Sequence, residues 1–376
     1  MKAVVLGCGM VGSAIAEDLA RHGEYSVRVC DISSDALERV TEDSIEKLPA
    51  DLSDPNTIRR VTADADVVVG AVPGFMGYRT LRNVITAGKD IVDISFFPEE
   101  ARGLDDLARK NGVRCLVDFG IAPGCSNLIC GYSAEVYEEV RSFTCMVGGL
   151  PEERRLPWEY QAPFSPCDVL EEYTRPARYV RGGEVVTEMP LTGRELADFR
   201  GIGTLEAFLT DGLRSLLKME GIDNMVEKTL RYPGYADKIL LLKDSGMLST
   251  EAVDVEGVPV RPLEVTSRLL FEEWKQHPGD RDFTVMRIKV EGLKSGGTEF
   301  TSTWNLLDRY DEASSTTSMA RTTGYTCTAG VRMLAEGLWK ETGVHPPEDV
   351  GTRSECFDFI IDELKKRNVI FRTEDS

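Results

Sequence analysis

Residues 2–31, KAVVLGCGMVGSAIAEDLARHGEYSVRVCD, decide the first half of the fold. An apolar run, Ala3–Leu6, leads into Gly7-x-Gly9-x-x-Gly12. A helix-compatible segment follows, then a second apolar alternation at Val27 and Val29, and finally Asp31. Each part has a place in a βαβ dinucleotide site. Gly7 permits a tight strand-to-helix turn, Gly9 lets a pyrophosphate approach the backbone, and Gly12 allows close helix–sheet packing. The free N–H groups at the helix start, from Met10 and Val11 onward, face the phosphates.

Asp31 narrows the cofactor. A carboxylate at the end of the second strand accepts hydrogen bonds from both ribose hydroxyls and repels a 2′-phosphate. The residues after it, Ile32-Ser33-Ser34, offer no Arg to neutralise such a phosphate. The expected cofactor is NAD.

The βαβ rhythm continues through residue 122. Strands are expected at Lys2–Leu6, Ser26–Asp31, ending at Pro49–Leu52, Asp66–Ala71, Asp90–Ile94 and Arg114–Val117, with helices between them. This is an α/β, Rossmann-type doubly wound parallel sheet, whose ligands bind at the carboxyl ends of the strands. Those ends carry Asp31, Asp51, Ala71-Val72-Pro73, Asp93, Ser95 and Asp118. Ala71, Val72 and Pro73 join the cofactor set, and Asp93 and Ser95 the substrate set. Asp51 either contacts adenine or caps the helix that starts at Pro55.

From residue 123 to 318 the rhythm changes to closely spaced strands, an α+β substrate domain with a mainly antiparallel sheet. Strands are expected at Arg141–Val147, Ala177–Val180 with Glu184–Thr187, and Asp237–Leu242. A hairpin is expected from Thr284–Glu291 and Thr298–Asn305 around Ser295-Gly296-Gly297. Pro262–Trp274 reads as a helix. Residues 319–376 begin with another, Met319–Gly337, and are expected to pack back on the nucleotide domain.

Composition excludes several functions. The 376 residues have a net charge of −19 and no long basic run, against nucleic acid or an anionic membrane as partner. No signal peptide precedes the first strand and no apolar stretch approaches a membrane span, so a cytoplasmic protein is expected. The nine cysteines form no CxxC pair and read as small buried hydrophobes in a reducing compartment. Only His22, His277 and His345 exist, none in a strand-end motif. A His general base, a two-His metal site and a Ser-His-Asp triad are all unsupported, and no metal is expected.

Four further motifs stand out. They are Asp118-Phe-Gly120-Ile-Ala122-Pro123-Gly124 with Asn127, Gly148-Gly149-Leu150-Pro151, Thr229-Leu-Arg231-Tyr232-Pro-Gly234, and Met319-Ala-Arg321-Thr322-Thr323-Gly324. With Phe164-Ser165-Pro166 and Tyr173-Thr-Arg-Pro176-Ala177 between them, the ordered set resembles the saccharopine dehydrogenase family across essentially the whole chain. Within it the run from Gly148 to Ala177 and the end Gly343-Val-His-Pro-Pro-Glu348 are most similar to the lysine 6-dehydrogenase branch. One departure is Asp211 in Thr210-Asp211-Gly212, where that branch carries a small residue. An Asp there can contact the substrate's α-amino group or admit a longer polyamine.

The resemblance implies hydride transfer at a carbon–nitrogen bond, with L-lysine oxidised at its ε-carbon as the first expectation. Saccharopine and carboxynorspermidine chemistry are the alternatives, and a non-catalytic NAD-binding protein is a further one. Hydride loss beside an amine needs the amine neutral, so Asp118 is the candidate catalytic group, unless it only caps a turn. The helix start after Pro123-Gly124, and Arg231 or Arg321, can hold a substrate carboxylate, or Arg231 can serve as a structural strand-end salt bridge and Arg321 as a surface charge at a helix N-terminus. Gly149 and Thr322 complete the substrate set, with a simple bulge as the other role for Gly148-Gly149. A homodimer is expected through the second sheet. Phe283, Val285, Ile288, Phe300 and Trp304 supply more apolar surface than a single-layer domain readily buries, unless helix Pro262–Trp274 covers that face.

Overall fold

Short valine-rich runs between polar turns build the first sheet. In the computed structural model, β1 (Lys2–Leu6), β2 (Ser26–Asp31), β3 (Glu46–Pro49), β4 (Val67–Gly70), β5 (Ile91–Asp93) and β6 (Arg114–Leu116) all pair in parallel. They are joined by α1 (Met10–Ala20), α2 (Ser34–Leu37), α3 (Pro55–Val61), α4 (Gly74–Thr86) and α5 (Asp105–Lys110). Every residue of β4 is buried, as a sheet covered on both faces requires. The strand order β6-β5-β4-β1-β2-β3 puts the topological switch between β1 and β4. Ligands of such sheets sit outside the carboxyl ends at that point. The structure describes residues 1–164, 166–277 and 279–376. Ser165 of the Phe164-Ser165-Pro166 motif, Pro278, and the side chains of His22, Pro166 and Cys167 lie outside the described residues.

α6 (Cys125–Val136) leads into the second sheet. Its elements are β7 (Glu139–Pro151), α7 (Pro166–Thr174), β8 (Ala177–Arg181), β9 (Glu184–Glu188), β10 (Glu195–Phe199), β11 (Gly203–Leu209), β12 (Asn224–Arg231), α8 (Tyr235–Asp244), the small hairpin β13 (Val253–Val255) and β14 (Val258–Val260), α9 (Pro262–Glu273), β15 (Asp282–Lys294) and β16 (Thr298–Arg309). The path runs β10-β11-β12-β7-β15-β16, antiparallel throughout except for the parallel pair β12 and β7. The segment Asp237–Leu242, expected as a strand, lies inside α8. Tyr235, Ala236 and Ile239 are its buried side chains and share one helical face. A short apolar run fits either element by periodicity, and here the helical face is what finds a core.

The C-terminal segment serves both sheets. α10 (Ser318–Ala335) packs on α1: Gly324 lets Ile15 approach, and Thr328 and Arg332 both donate to the buried Asp18. β17 (Gly343–His345) then extends the first sheet beside β6. After α11 (Pro347–Gly351) and α12 (Ser354–Lys366), β18 (Phe371–Asp375) pairs antiparallel with β16 in the second. The last strand therefore leaves the nucleotide side of the molecule.

The apolar face expected to drive dimerisation is filled within the chain. Phe283, Val285, Ile288 and Phe300 are all buried. Phe283 and Val285 pack with Leu150, Phe199 and Tyr232 on one side of the sheet. On the other side Tyr137 stacks on Phe300 at 3.7 Å, and Trp304 meets Phe357 of α12 edge-on. The cover comes from α6, α10 and α12 and not from α9, whose core lies with Tyr160 and Trp274. A homodimer would have to use another surface. No helix among the described residues is long and apolar enough to cross a membrane, and the eight described cysteines are free and buried.

Candidate active site

A cavity of about 420 Å³ opens at the carboxyl ends of the first sheet and runs against the second. Its nucleotide end is set by the glycines. Gly7 has φ +105°, and a Cβ there would lie 2.3 Å from the Ala71 carbonyl oxygen. A Cβ on Gly12 would lie 2.2 Å from the Gly7 oxygen, whereas one on Gly9 would meet nothing within 4 Å. The turn is thus packed tight behind and open in front, the cradle that a pyrophosphate needs. Gly9, Met10, Val11 and Gly12 line it, as do Ala71, Val72 and Pro73. Asp31 lines it too, its two carboxylate oxygens accepting the N–H groups of Cys8 at 2.7 Å and Ser33 at 2.9 Å. These residues fit a pyridine nucleotide, which would supply the hydride acceptor or donor.

The far wall belongs to the second sheet. On β12, side chains alternate across the sheet, so Glu227, Thr229 and Arg231 share one face, and all three line the cavity. Beside them stand Gly149 of β7, Thr210, Asp211 and Gly212 after β11, Asp168, Glu171 and Glu172 of α7, and Arg175 just after it. A side chain on Gly149 would strike Met319 and Pro163. Ser95 closes the wall at the end of β5.

Most charges on this wall have partners. Arg231 is buried over the Tyr160 ring at 4.5 Å and donates to the Tyr173 hydroxyl at 3.0 Å, the Leu230 carbonyl and Glu172. Asp211 accepts two bonds of 2.8 Å from Arg178. Glu171 pairs with Arg175. Burial pushes Glu172 up to about 7, with Arg231 opposing and Asp168 adding. Burial pushes Glu227 up to about 8; a bond from the Thr210 hydroxyl opposes this, and the charges of Glu172 and Asp211 add to it.

Several expected residues stand elsewhere. Asp118 does not line the cavity. It is buried with φ +55° and both oxygens face Arg214, at 3.2 and 3.3 Å. That guanidinium, not a substrate ammonium, is what it holds. Asp93 is fully buried below the cavity against Gly70 and accepts the Ser95 N–H; burial, with the Asp118 charge, raises its carboxyl well above the usual range. Arg321 pairs with the buried Asp308 at 3.1 Å, and Thr322 returns its hydroxyl to the Ser318 carbonyl. Their neighbours Met319 and Thr323 face the cavity instead. Asp51 is exposed and, among the described residues, its carboxylate accepts only the Ser53 amide and hydroxyl, while Asp54 caps α3. The start of α6 is also spent: the amides of Cys125 and Ser126 donate to Gly120 and Ile121.

The sequence reading missed Arg39, Glu172 and Glu227. Arg39 follows the single turn of α2, which folds it back beside Asp31 on the cavity. Glu227 had a legible signal, since Glu-x-Thr-x-Arg at period two puts a polar row on one strand face.

Comparison with known proteins agrees with this architecture. Residues 3–116 match the saccharopine dehydrogenase NADP binding domain, and residues 120–370 the saccharopine dehydrogenase C-terminal domain. Saccharopine dehydrogenase [NADP(+), L-glutamate-forming] of Saccharomyces cerevisiae is 22% identical, over 99% of this chain and 98% of its own. Carboxynorspermidine synthase of Vibrio cholerae is 22% identical, over 93% and 92%. The apo structure of the yeast saccharopine dehydrogenase superposes with a TM-score of 0.82 at 20% identity, covering 100% of this chain and 99% of that one. A Rossmann sheet with an open phosphate cradle, joined through one cavity to a mixed second sheet, thus matches both domain descriptions along nearly its full length, and the chain belongs to the saccharopine dehydrogenase family of oxidoreductases.

Proposed function

We propose that this chain is a cytoplasmic, NAD-dependent dehydrogenase that oxidises an amine carbon, with L-lysine at its ε-carbon as the substrate. The observation that carries the reading is the charge of the substrate wall. Asp168, Glu171, Glu172 and Asp211 outnumber Arg175 and Arg231 on the lining, each of these arginines already pairs with a glutamate, and Glu227 adds a fifth acid that ionises when a cationic amine arrives. Such a wall favours a substrate with two amino groups and one carboxylate over saccharopine, which carries three carboxylates. Gly149, Ser95, Arg231 and Asp211 are the contacts we assign to that substrate, although Arg178 takes both oxygens of Asp211. Synthesis of a carboxylated polyamine, the kind of product named for the Vibrio relative, is the second reading, and the same acidic wall favours it. Arg231 lies on the cavity, which argues against a protein that only senses nucleotide.

NAD is favoured by Asp31 and opposed by Arg39, whose guanidinium supplies the positive charge that a 2′-phosphate would need. Reduced nucleotide appearing with L-lysine alone supports the first reading. Turnover only with saccharopine, or only with a diamine plus an aldehyde, rejects it. Fluorescence titration with NADH and NADPH tests the cofactor, and tighter NADPH binding overturns the preference.

A further inference from the structure

We propose that Glu227 is the catalytic group that exchanges a proton with the substrate nitrogen, held in place by Thr210 and Thr229. This rests on the reading above that the reaction joins or removes hydride at a carbon bearing nitrogen. Glu227 sits in mid-strand on β12, facing the cavity from the side opposite the nucleotide cradle. A carboxylate there faces a substrate lying between the two walls.

Four of the other acids on or near the site are held by arginines. Asp118 holds Arg214, Asp211 holds Arg178, Glu171 holds Arg175 and Glu172 reaches Arg231. Glu227 makes no ion pair among the described residues. Its Oε2 accepts 2.7 Å from the Thr210 hydroxyl, and Thr210 Oγ1 lies 2.8 Å from Thr229 Oγ1. When Glu227 is ionised it can only accept, so Thr210 donates its one proton to Glu227 and Thr229 donates to Thr210. Both hydroxyls therefore point their protons towards the carboxylate, the order expected when that carboxylate is the terminal acceptor. Gly212 makes room for it, since a Cβ there would lie 2.2 Å from Glu227 Oε2. The charged and titratable groups around it are Glu172 of α7, Asp211 after β11, Arg231 on its own strand and the Cys145 thiol of β7. Burial and two like charges leave it protonated near neutral pH, until a cationic amine arrives.

In the oxidative direction the ammonium N–H bond breaks and its proton passes to the Glu227 carboxylate. The freed nitrogen lone pair then forms the C=N bond as the adjacent hydrogen leaves with the C–H electron pair to the nicotinamide ring. Substrate is oxidised, nucleotide is reduced and Glu227 ends protonated. In the reductive direction each transfer reverses and Glu227 returns the proton to nitrogen.

Glu227→Gln, Glu227→Asp and Thr210→Val are compared with the unaltered chain, with NADH binding as the control for a folded site. For the amine turned over, kcat/KM is expected to rise tenfold per pH unit and level off near pH 8. Glu227→Gln should lose about 10²–10⁴-fold and become flat on that limb. Glu227→Asp should keep the limb at a displaced pH, and Thr210→Val should move it upward without abolishing turnover. A Gln variant within tenfold of the unaltered chain, or one keeping the acid limb, overturns the proposal. If no amine is turned over, the functional reading fails on its own, and proton exchange is read by calorimetry. L-lysine is titrated into the enzyme–NADH complex at pH 7.5 in two buffers of different ionisation enthalpy. Proton release by the unaltered chain and none by Glu227→Gln supports the assignment, and no release by the unaltered chain overturns it.

Discussion

Replacing Arg214 by Met should destabilise the chain far more than an ordinary surface arginine would. Arg214 and Asp118 form an ion pair whose side chains are each only 7% exposed. Arg214 also donates 2.6 Å to the Phe97 carbonyl and lies over the Phe96 ring at 4.7 Å. Its removal strands the Asp118 carboxylate beside the buried Asp93, and breaking a buried pair from one side costs about 3–5 kcal/mol. Asp118→Asn leaves Arg214 without its counter-charge and should cost a similar amount. The double variant strands neither charge, so it should cost less than the sum of the singles by about 1–3 kcal/mol. Both residues also hold left-handed backbone, at φ +55° and +54°. Arg214→Gly should therefore recover about 1 kcal/mol relative to Arg214→Ala. Urea unfolding at pH 7, followed by tryptophan fluorescence, measures all five. A cost below 1 kcal/mol for Arg214→Met, or singles that simply add, would refute the pair's role. Because Asp118 faces the arginine, folded Asp118→Asn should retain the wild-type pH dependence of kcat/KM.

Other outcomes follow from the same geometry. Asp31→Ala should weaken NADH binding by roughly 1.5–3 kcal/mol, the loss of a charge-assisted ribose bond, and Arg39→Ala should weaken NADPH more than NADH; titration of both nucleotides checks this. Glu227 carries a stability signature as well. Its folded pKa of about 8 exceeds the ordinary 4.5, so its contribution is complete below pH 4.5 and is lost as pH rises through 8. Relative to the unaltered chain, Glu227→Gln should gain about 1.4 kcal/mol per pH unit across that window in unfolding experiments. For Asp18, burial raises the carboxyl, but Arg332, Arg367 and Thr328 outweigh it and hold it below the usual range. That stability is present above pH 3.8 and fades as pH falls below it. Asp18→Ala takes one shared carboxylate from Arg332 and Arg367, which keep Glu24 and Glu363, and should cost about 1–3 kcal/mol in urea unfolding.

How far the sequence carried depends on where the constraint lay. The β1–α1–β2 unit was legible because Gly7, Gly9 and Gly12 answer local steric demands that only glycine meets. The β15–β16 hairpin was legible through its Gly296-Gly297 turn and alternating strands. α8 was misread because four successive apolar residues, Ile239–Leu242, carry no period of their own. The site was harder. Asp118 ends a strand as catalytic acids often do, but its partner Arg214 opens a short 3-10 turn 96 residues on. Arg231 was singled out while Glu227, four residues earlier on the same face, was not, because β12 itself went unrecognised. The apolar dimer face failed for a related reason, since residues from α12 cover it.

The path of the chain between its sheets bears on how it must fold during synthesis. When residues 1–122 have been made, the nucleotide sheet still lacks its edge strand, β17, and the helix α10 that packs on α1. The β6 edge and the buried face of α1 stay uncovered while the whole second sheet is translated. A ribosome-bound fragment ending before residue 318 therefore exposes Ile15, Phe119 and a free strand edge to solvent, which makes that window the one in which a chaperone has most to protect.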